Sequence, residues 1–245
     1  MRAHERGLEI RLGPDAWLRA ELRGLRGWPR ARPYGGLGAA HALPGLGQYW
    51  HPHALGGEAR GEAVLGGERV SLDGWRVYAE KNWSADGFPE RWWWGHAASF
   101  PGADACVAFA GGAVTVGPVG LTATAVAVRV EKQLVRLGNP VLSPVRAEVS
   151  DSAWRLRGAG PRWSVELEGA GVPGDAHVLP VPLPADRRIV PGALQHLGGR
   201  LRLEVRRHGR RWFEGESTLA GLEHGGCAGA ERELERRAAT EALAA

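Results

Sequence analysis

Residues 73–100, DGWRVYAEKNWSADGFPERWWWGHAASF, concentrate the side chains best able to do chemistry. Five of the chain's eleven tryptophans stand there, at 75, 83, 92, 93 and 94, and around them stand Glu80, Lys81, Asn82, Asp86, Glu90, Arg91 and His96. A carboxyl set against apolar rings can hold a proton near neutrality, and an indole face can stabilise a cation. Composition sharpens the picture, because lysine occurs only at 81 and 132 and asparagine only at 82 and 139. One of the two lysines therefore neighbours one of the two asparagines.

The elements that must position these groups read as strands. Along 74–83, alternation with period two puts Trp75, Val77, Ala79, Lys81 and Trp83 on one face and Arg76, Tyr78, Glu80 and Asn82 on the other. Lys81 ends an otherwise apolar row, so burying it would require a carboxylate partner or the loss of its proton. Along 91–100, Trp92, Trp94, His96, Ala98 and Phe100 share a face opposite Arg91, Trp93 and Ser99. Segment 84–90, SADGFPE, reads as the turn between them. That predicts two antiparallel neighbours whose aromatic and ionisable groups converge. The same residues also have a purely structural reading: tryptophans in sheets are usually core, and a Glu–Lys couple at a strand end is usually a surface ion pair. His51 and His53 in WHPH alternate onto one strand face as metal ligands can, but no third ligand accompanies them, and no metal is expected.

Around this segment, 245 residues with 44% hydrophobic and 24% charged composition can bury a real core, which excludes a disordered chain and a small disulfide scaffold. Gly (37) and Pro (16) are too frequent for a helical bundle and suit many short strands joined by turns. Strand candidates recur from residue 7 to 217, with hairpins expected at Gly66-Gly67, at 158–161 and at His208-Gly209. Without a βαβ rhythm, the expected fold is all-β: an antiparallel, lipocalin-like barrel or a sandwich of short strands, with a short C-terminal helix in AGAERELERRAATEALAA. A barrel of that size can hold a hydrophobic ligand. Residues 171–197, rich in proline and glycine, read as a long connection or an edge crossing. Ala105 to Val128 carries no charge and is long enough to span a bilayer, yet its glycines, Pro118 and threonines fit two buried strands and a turn better. Six arginines between 200 and 211 lie on the polar positions of a hairpin and lack the aromatic interleaving of a base-stacking platform, so no nucleic-acid partner is expected. Cys106 and Cys227 are far apart and lack CxxC spacing, so neither disulfide framework nor zinc site can be argued and a cytoplasmic location is the default. The N-terminus MRAHERGLEIRLG has no apolar segment of signal-peptide length.

YAEKNW followed by FPERWWWGHAASF resembles the signature of the tocopherol cyclase family, Tyr-x-Glu-Lys-(Asn or Asp)-Trp-Gly, then Phe-Pro, then spaced tryptophans and usually a Gln. The match is specific over about 78–100, and weaker similarity runs through GEAVLGGERVSLDGWR and GRLRLEVRRHGRRWFEGESTLAGLEHGG. Two departures stand out: the turn Ser84-Ala85-Asp86-Gly87 is one residue longer and adds a carboxylate, and His96 stands where the family usually has Gln. The resemblance implies a lipocalin-like fold related to carotenoid hydratases. Family members are longer at the N-terminus, so residues 1–57 are expected to be the remnant of a first lipocalin-like portion, 58–228 the barrel carrying the motif, and 229–245 a helix or tail.

The activity implied is cyclisation of a prenylated quinol to a chromanol, with no cofactor. That reaction asks for an acid to protonate a trisubstituted alkene, a setting that tolerates a tertiary cation, and an acceptor for the phenolic proton. Glu80 or Asp86 would be the acid and His96 the acceptor, while Trp83, Trp92 and Trp94 face the cation. Tyr78, Lys81, Asn82 and Arg91 would bind and orient the quinol. A non-catalytic carrier of isoprenoid or other lipid, and an alkene hydratase using water as nucleophile, remain alternatives. The expected partner is a hydrophobic small molecule, with transient contact at a membrane surface for its pick-up; oligomeric state is left open.

Overall fold

A computed structural model describes every residue except 1, 5, 30–34, 43–45, 85, 86, 117, 173 and 245. The N-terminal strands are β1 (Arg2–His4), β2 (Gly7–Gly13), β3 (Ala16–Arg23), β4 (Tyr49–Ala54), β5 (Glu58–Leu65), β6 (Glu68–Ser71), β7 (Trp75–Arg76) and β8 (Ala79–Trp83). They make two small sheets, one in the order β1-β2-β3-β5-β6 with β7 also on β5, the other the pair β4-β8. The chain continues through β9 (Trp92–Ala97), β10 (Ala105–Val116), β11 (Val119–Val130), β12 (Gln133–Leu137), β13 (Val145–Val149), β14 (Ala153–Ala159), β15 (Trp163–Ala170), β16 (His177–Leu183), β17 (Arg188–Arg207), β18 (Arg210–Gly225) and the helix α1 (Cys227–Ala244). These ten strands form one sheet in the order β12-β11-β10-β9-β18-β17-β15-β14-β13, with β16 pairing β17. Pairing is antiparallel wherever the described strands meet. β3 pairs β5 across the expected boundary at 57/58, and the large sheet starts only at Trp92.

The turns follow residue chemistry. Gly66 and Gly67 link β5 to β6, and His208-Gly209 link β17 to β18, with positive φ at all four residues as a type I′ hairpin needs. Residues 158–161 open the β14–β15 hairpin, as expected. Two strands are far from short, β17 with 20 residues and β18 with 16. β17 stays continuous by bending at bulges around Gly199, pairing β16 before the bend and β15 after it. The Pro-rich stretch expected to be a long connection or an edge crossing is mostly strand, and part of it lies at the sheet's edge. β16 pairs only with β17, and an edge strand tolerates Pro180 and Pro182.

The large sheet curls until residues from both ends share one core: Val135 and Leu137 of β12, Trp154 and Leu156 of β14, and Leu201, Leu203 and Val205 of β17 pack together. No ladder joins β12 to β13 among the described residues, so the barrel does not close. Its interior is filled by these side chains, most of them fully buried, each worth about 1.5–3 kcal/mol of transfer free energy. Among the described residues, packed side chains occupy the inside of this sheet, where a barrel would hold a ligand. On its outer face Cys106, Ala108, Ala125, Ala127 and Leu134 are covered by Trp50 and Leu55 of the N-terminal strands. Burial on both faces explains the lack of charge at 105–109 and 124–128, the base of the β10–β11 hairpin, while Val119 and Leu121 near its tip are exposed.

The arginine-rich hairpin is a solvated face laced with ion pairs, among them Arg202–Glu214 at 2.6 Å and Arg200–Glu216 at 3.7 Å. α1 is held by Arg232, which donates to Asp151 at 2.7 Å, while His224 meets the other oxygen of that carboxylate at 3.2 Å. No helix among the described residues is long and apolar enough to cross a membrane. Cys106 is buried and Cys227 exposed, both free.

Candidate functional site

β9 divides its tryptophans between the two sides of the large sheet. Trp93 turns into the sealed core and donates to Thr124 at 3.2 Å, while Trp92, Trp94 and His96 occupy the outer face. Small residues stand opposite these rings: Gly112, Ala110 and Ala108 on β10, Gly225 and Gly221 on β18. A Cβ on Gly225 would come within 1.9 Å of the Trp92 ring, and one on Gly221 within 2.9 Å of His96 Nε2. The glycines make room for the rings to lie over the sheet.

β4 and β8 roof this face. β7 still belongs to the first small sheet, but after residues 77–78 the chain pairs with β4 instead, Trp50 opposite Asn82 and His51 opposite Lys81. That change of partner points Tyr78 and Glu80 at β9. Glu80 Oε2 then accepts three hydrogen bonds, from Trp50 Nε1 at 2.6 Å, Tyr78 Oη at 2.5 Å and Trp94 Nε1 at 2.7 Å. The donors come from β4, from the approach to β8 and from β9, so one carboxyl ties the roof to the large sheet.

The Tyr78 ring stacks on His96, centroids 4.3 Å apart and planes within 6°. Burial, with the charge and hydrogen bond of Glu80 adding to it, pushes the Tyr78 hydroxyl well above its ordinary value, so it is a neutral donor at any physiological pH. Burial pushes the His96 imidazole down to about 4, which leaves the ring uncharged at neutrality. Its Nδ1 is sealed without a hydrogen-bond partner among the described residues.

A second carboxyl, Glu223 of β18, faces the same side directly opposite Trp94 in the ladder. Its Oε1 accepts from Trp92 Nε1 at 2.7 Å and its Oε2 from Gln195 Nε2 at 3.1 Å. Burial pushes this carboxyl up, opposed by the Trp92 hydrogen bond and reinforced by the charge of Glu80. Sequence reasoning missed Glu223. It lies 131 residues from the tryptophan that binds it, and its only signal was the weak similarity through LAGLEHGG.

Beside the rings runs a narrow cavity of about 60 Å³, walled by Trp50, Trp92 and Trp94 and covered by Asn82, Phe88 and Pro89. Two wider hollows of about 430 and 780 Å³ share Phe88 and Pro89 with it and open toward solvent. Phe88 stacks on Trp92 with centroids 4.9 Å apart and is 44% exposed.

Against expectation, 74–83 and 91–100 are not ladder neighbours: β8 pairs β4, while β9 lies between β10 and β18. Tyr78, Glu80, Trp92, Trp94 and His96 do meet, but by packing face to face. Asn82 reaches the cavity and accepts from the Gln48 amide. Lys81 and Trp83 point the other way. Lys81 is exposed with its ammonium 5.2 Å from the Trp83 ring, which is itself stacked on Tyr49, while Val77 at the start of the same row packs on the small N-terminal core cluster. The row bearing Glu80 faces in because rings of β4 and β9 satisfy it. Arg91 is exposed, 5.9 Å from the Trp93 ring, and donates to the Val149 carbonyl at 3.3 Å. Asp86 lies outside the described residues. His51 packs on Trp28, and among the described residues no group of three His, Cys, Asp or Glu could hold a metal.

A curated protein of Oryza sativa subsp. japonica described as "Probable tocopherol cyclase, chloroplastic" is 28% identical over 197 residues, covering 76% of this chain and 41% of its own. The chain thus spans less than half the length of that relative. Kievitone hydratase from Nectria haematococca is similar in structure at a TM-score of 0.49 and 11% identity, covering 91% of this chain and 65% of its own. The model of the Tocopherol cyclase-like family matches residues 16–226, from β3 through the glycines that precede α1, and so takes in both carboxyls and all the rings around them. The chain belongs to the tocopherol cyclase-like family.

Proposed function

We propose that the chain is an enzyme that cyclises a prenylated quinol to a chromanol by acid catalysis. The observation that carries this reading is the Glu80 carboxyl, held on one oxygen by donors from three segments at the seam between the roof and the large sheet, among indole rings. Indole faces and carboxyl oxygens held in place by such a network offset a developing tertiary cation without reorganising. A carboxyl of the same cluster supplies the proton to the alkene. His96, uncharged and beside Trp94 in the same cluster, accepts the strongly acidic proton of the phenol once its oxygen has attacked the cation.

The narrow cavity is smaller than the roughly 150 Å³ that admits a benzene ring. A quinol head therefore enters by displacing Phe88, with its tail toward the wider hollows. The test is incubation of the purified protein with a prenyl-benzoquinol and analysis of the product, beside Glu80→Gln. Chromanol from wild type, and a large loss in the variant, is the expected result. A tertiary alcohol instead would assign alkene hydration, and tight binding without chemical change would assign a carrier.

A further inference from the structure

We propose that Glu223 is the proton donor of this site. The inference rests on the cyclase reading and adds a residue to it.

The geometry divides the two carboxyls. Glu80 concentrates three donors on Oε2, so it is committed to tying the roof to the large sheet. Glu223 has one neutral donor on each oxygen, the Trp92 indole and the Gln195 amide. The groups that face Glu223 are Trp92 and Trp94 from β9, His96 one step diagonally along that strand, Gln195 from β17 and Glu80 from β8. β16 contributes Leu179 and Val181 to the far side of Trp92 and, directly across Gln195 in the ladder, the exposed His177. Among the described residues no lysine or arginine is in this group, and burial keeps His96 neutral. A carboxyl enclosed by indoles, facing Glu80 and lacking an ammonium or guanidinium partner, holds its proton above the range of an ordinary glutamate, and the direction found for Glu223 agrees. Its carboxyl is bonded to one of the rings that wall the narrow cavity.

The step balances without a co-reactant. The Glu223 O–H bond breaks and a C–H bond forms at the less substituted alkene carbon, leaving the tertiary cation. The phenolic oxygen attacks it and a C–O bond forms. The phenolic proton passes to His96 and on to the Glu223 carboxylate, so the product is an isomer of the substrate and no electrons are gained or lost.

Two measurements separate this inference from the reading beneath it. As pH is raised, infrared spectroscopy of the full chain should show one protonated-carboxyl carbonyl stretch that persists after those of ordinary glutamates have gone, and that stretch should be missing in Glu223→Gln. A stretch missing from wild type, or one that survives in Glu223→Gln, overturns the assignment whether or not the protein turns over. With a prenyl-benzoquinol as substrate, Glu223→Gln should lower kcat by about 10²- to 10⁴-fold with KM little changed. Glu223→Asp should restore part of the rate together with the fall in kcat at high pH. Retention of wild-type kcat in Glu223→Gln overturns the proposal. Absence of turnover by wild type would remove the cyclase reading and leave the infrared result to decide the protonation of Glu223.

Discussion

Replacing His96 with Gln, the residue usual at that position in the family, isolates the cost of burying an imidazole. In the unfolded chain His96 titrates at its ordinary value of 6.5, whereas burial holds it at about 4 in the folded protein. Between those values the unfolded state binds a proton that the folded state refuses, so folding stability falls as pH falls through this window and levels off below it. A gap of about 2.5 pH units at about 1.4 kcal/mol each gives roughly 3 kcal/mol, a large share of the 5–15 kcal/mol typical of a domain. The amide introduced by His96→Gln does not titrate. Urea unfolding followed by tryptophan emission at pH 7 and pH 4 should therefore show wild type losing about 3 kcal/mol more than His96→Gln over the interval. Parallel losses in the two proteins would refute the burial argument and, with it, the sealed stack of His96 on Tyr78.

Gly225→Ala places a methyl group where the Trp92 ring lies, so it should destabilise by about 1–3 kcal/mol, seen as a Tm lowered by about 2–4 °C for each, and should weaken the Trp92–Glu223 hydrogen bond. An unchanged Tm would show that the ring has room to move. Lys81→Met removes a charge from the outer row, so stability should stay within about 0.5 kcal/mol and steady-state kinetics on a prenyl-benzoquinol within about twofold of wild type. A tenfold or greater loss would return Lys81 to the ligand.

Local chemistry made much of the architecture legible. Alternation marked the strands, and Gly66-Gly67 and His208-Gly209 marked their hairpins, because a two-residue turn with positive φ depends only on the residues that make it. The uncharged run after Ala105 was readable as buried strand because glycines and threonines suit a sheet and not a membrane helix. Strand length was not readable. A bulge lets β17 change partners without stopping, and bulge formation depends on the strands alongside.

The segment 78–96 supplied candidate groups: a carboxyl, an imidazole and a group of indoles spaced so that alternate residues share a face. Periodicity defined those two faces but carries no sign, so it could not say which one turned inward. That was settled when β8 paired with β4 and delivered Glu80 to donors on Trp50 and Trp94. Only the folded chain could reveal Glu223, since its place beside Trp92 comes from the β9–β18 ladder, a contact between residues too distant in sequence for any local pattern to record. Residue types determine which reactions are chemically possible here; proton affinity depends on burial and on neighbouring charge, and both are properties of the tertiary structure alone.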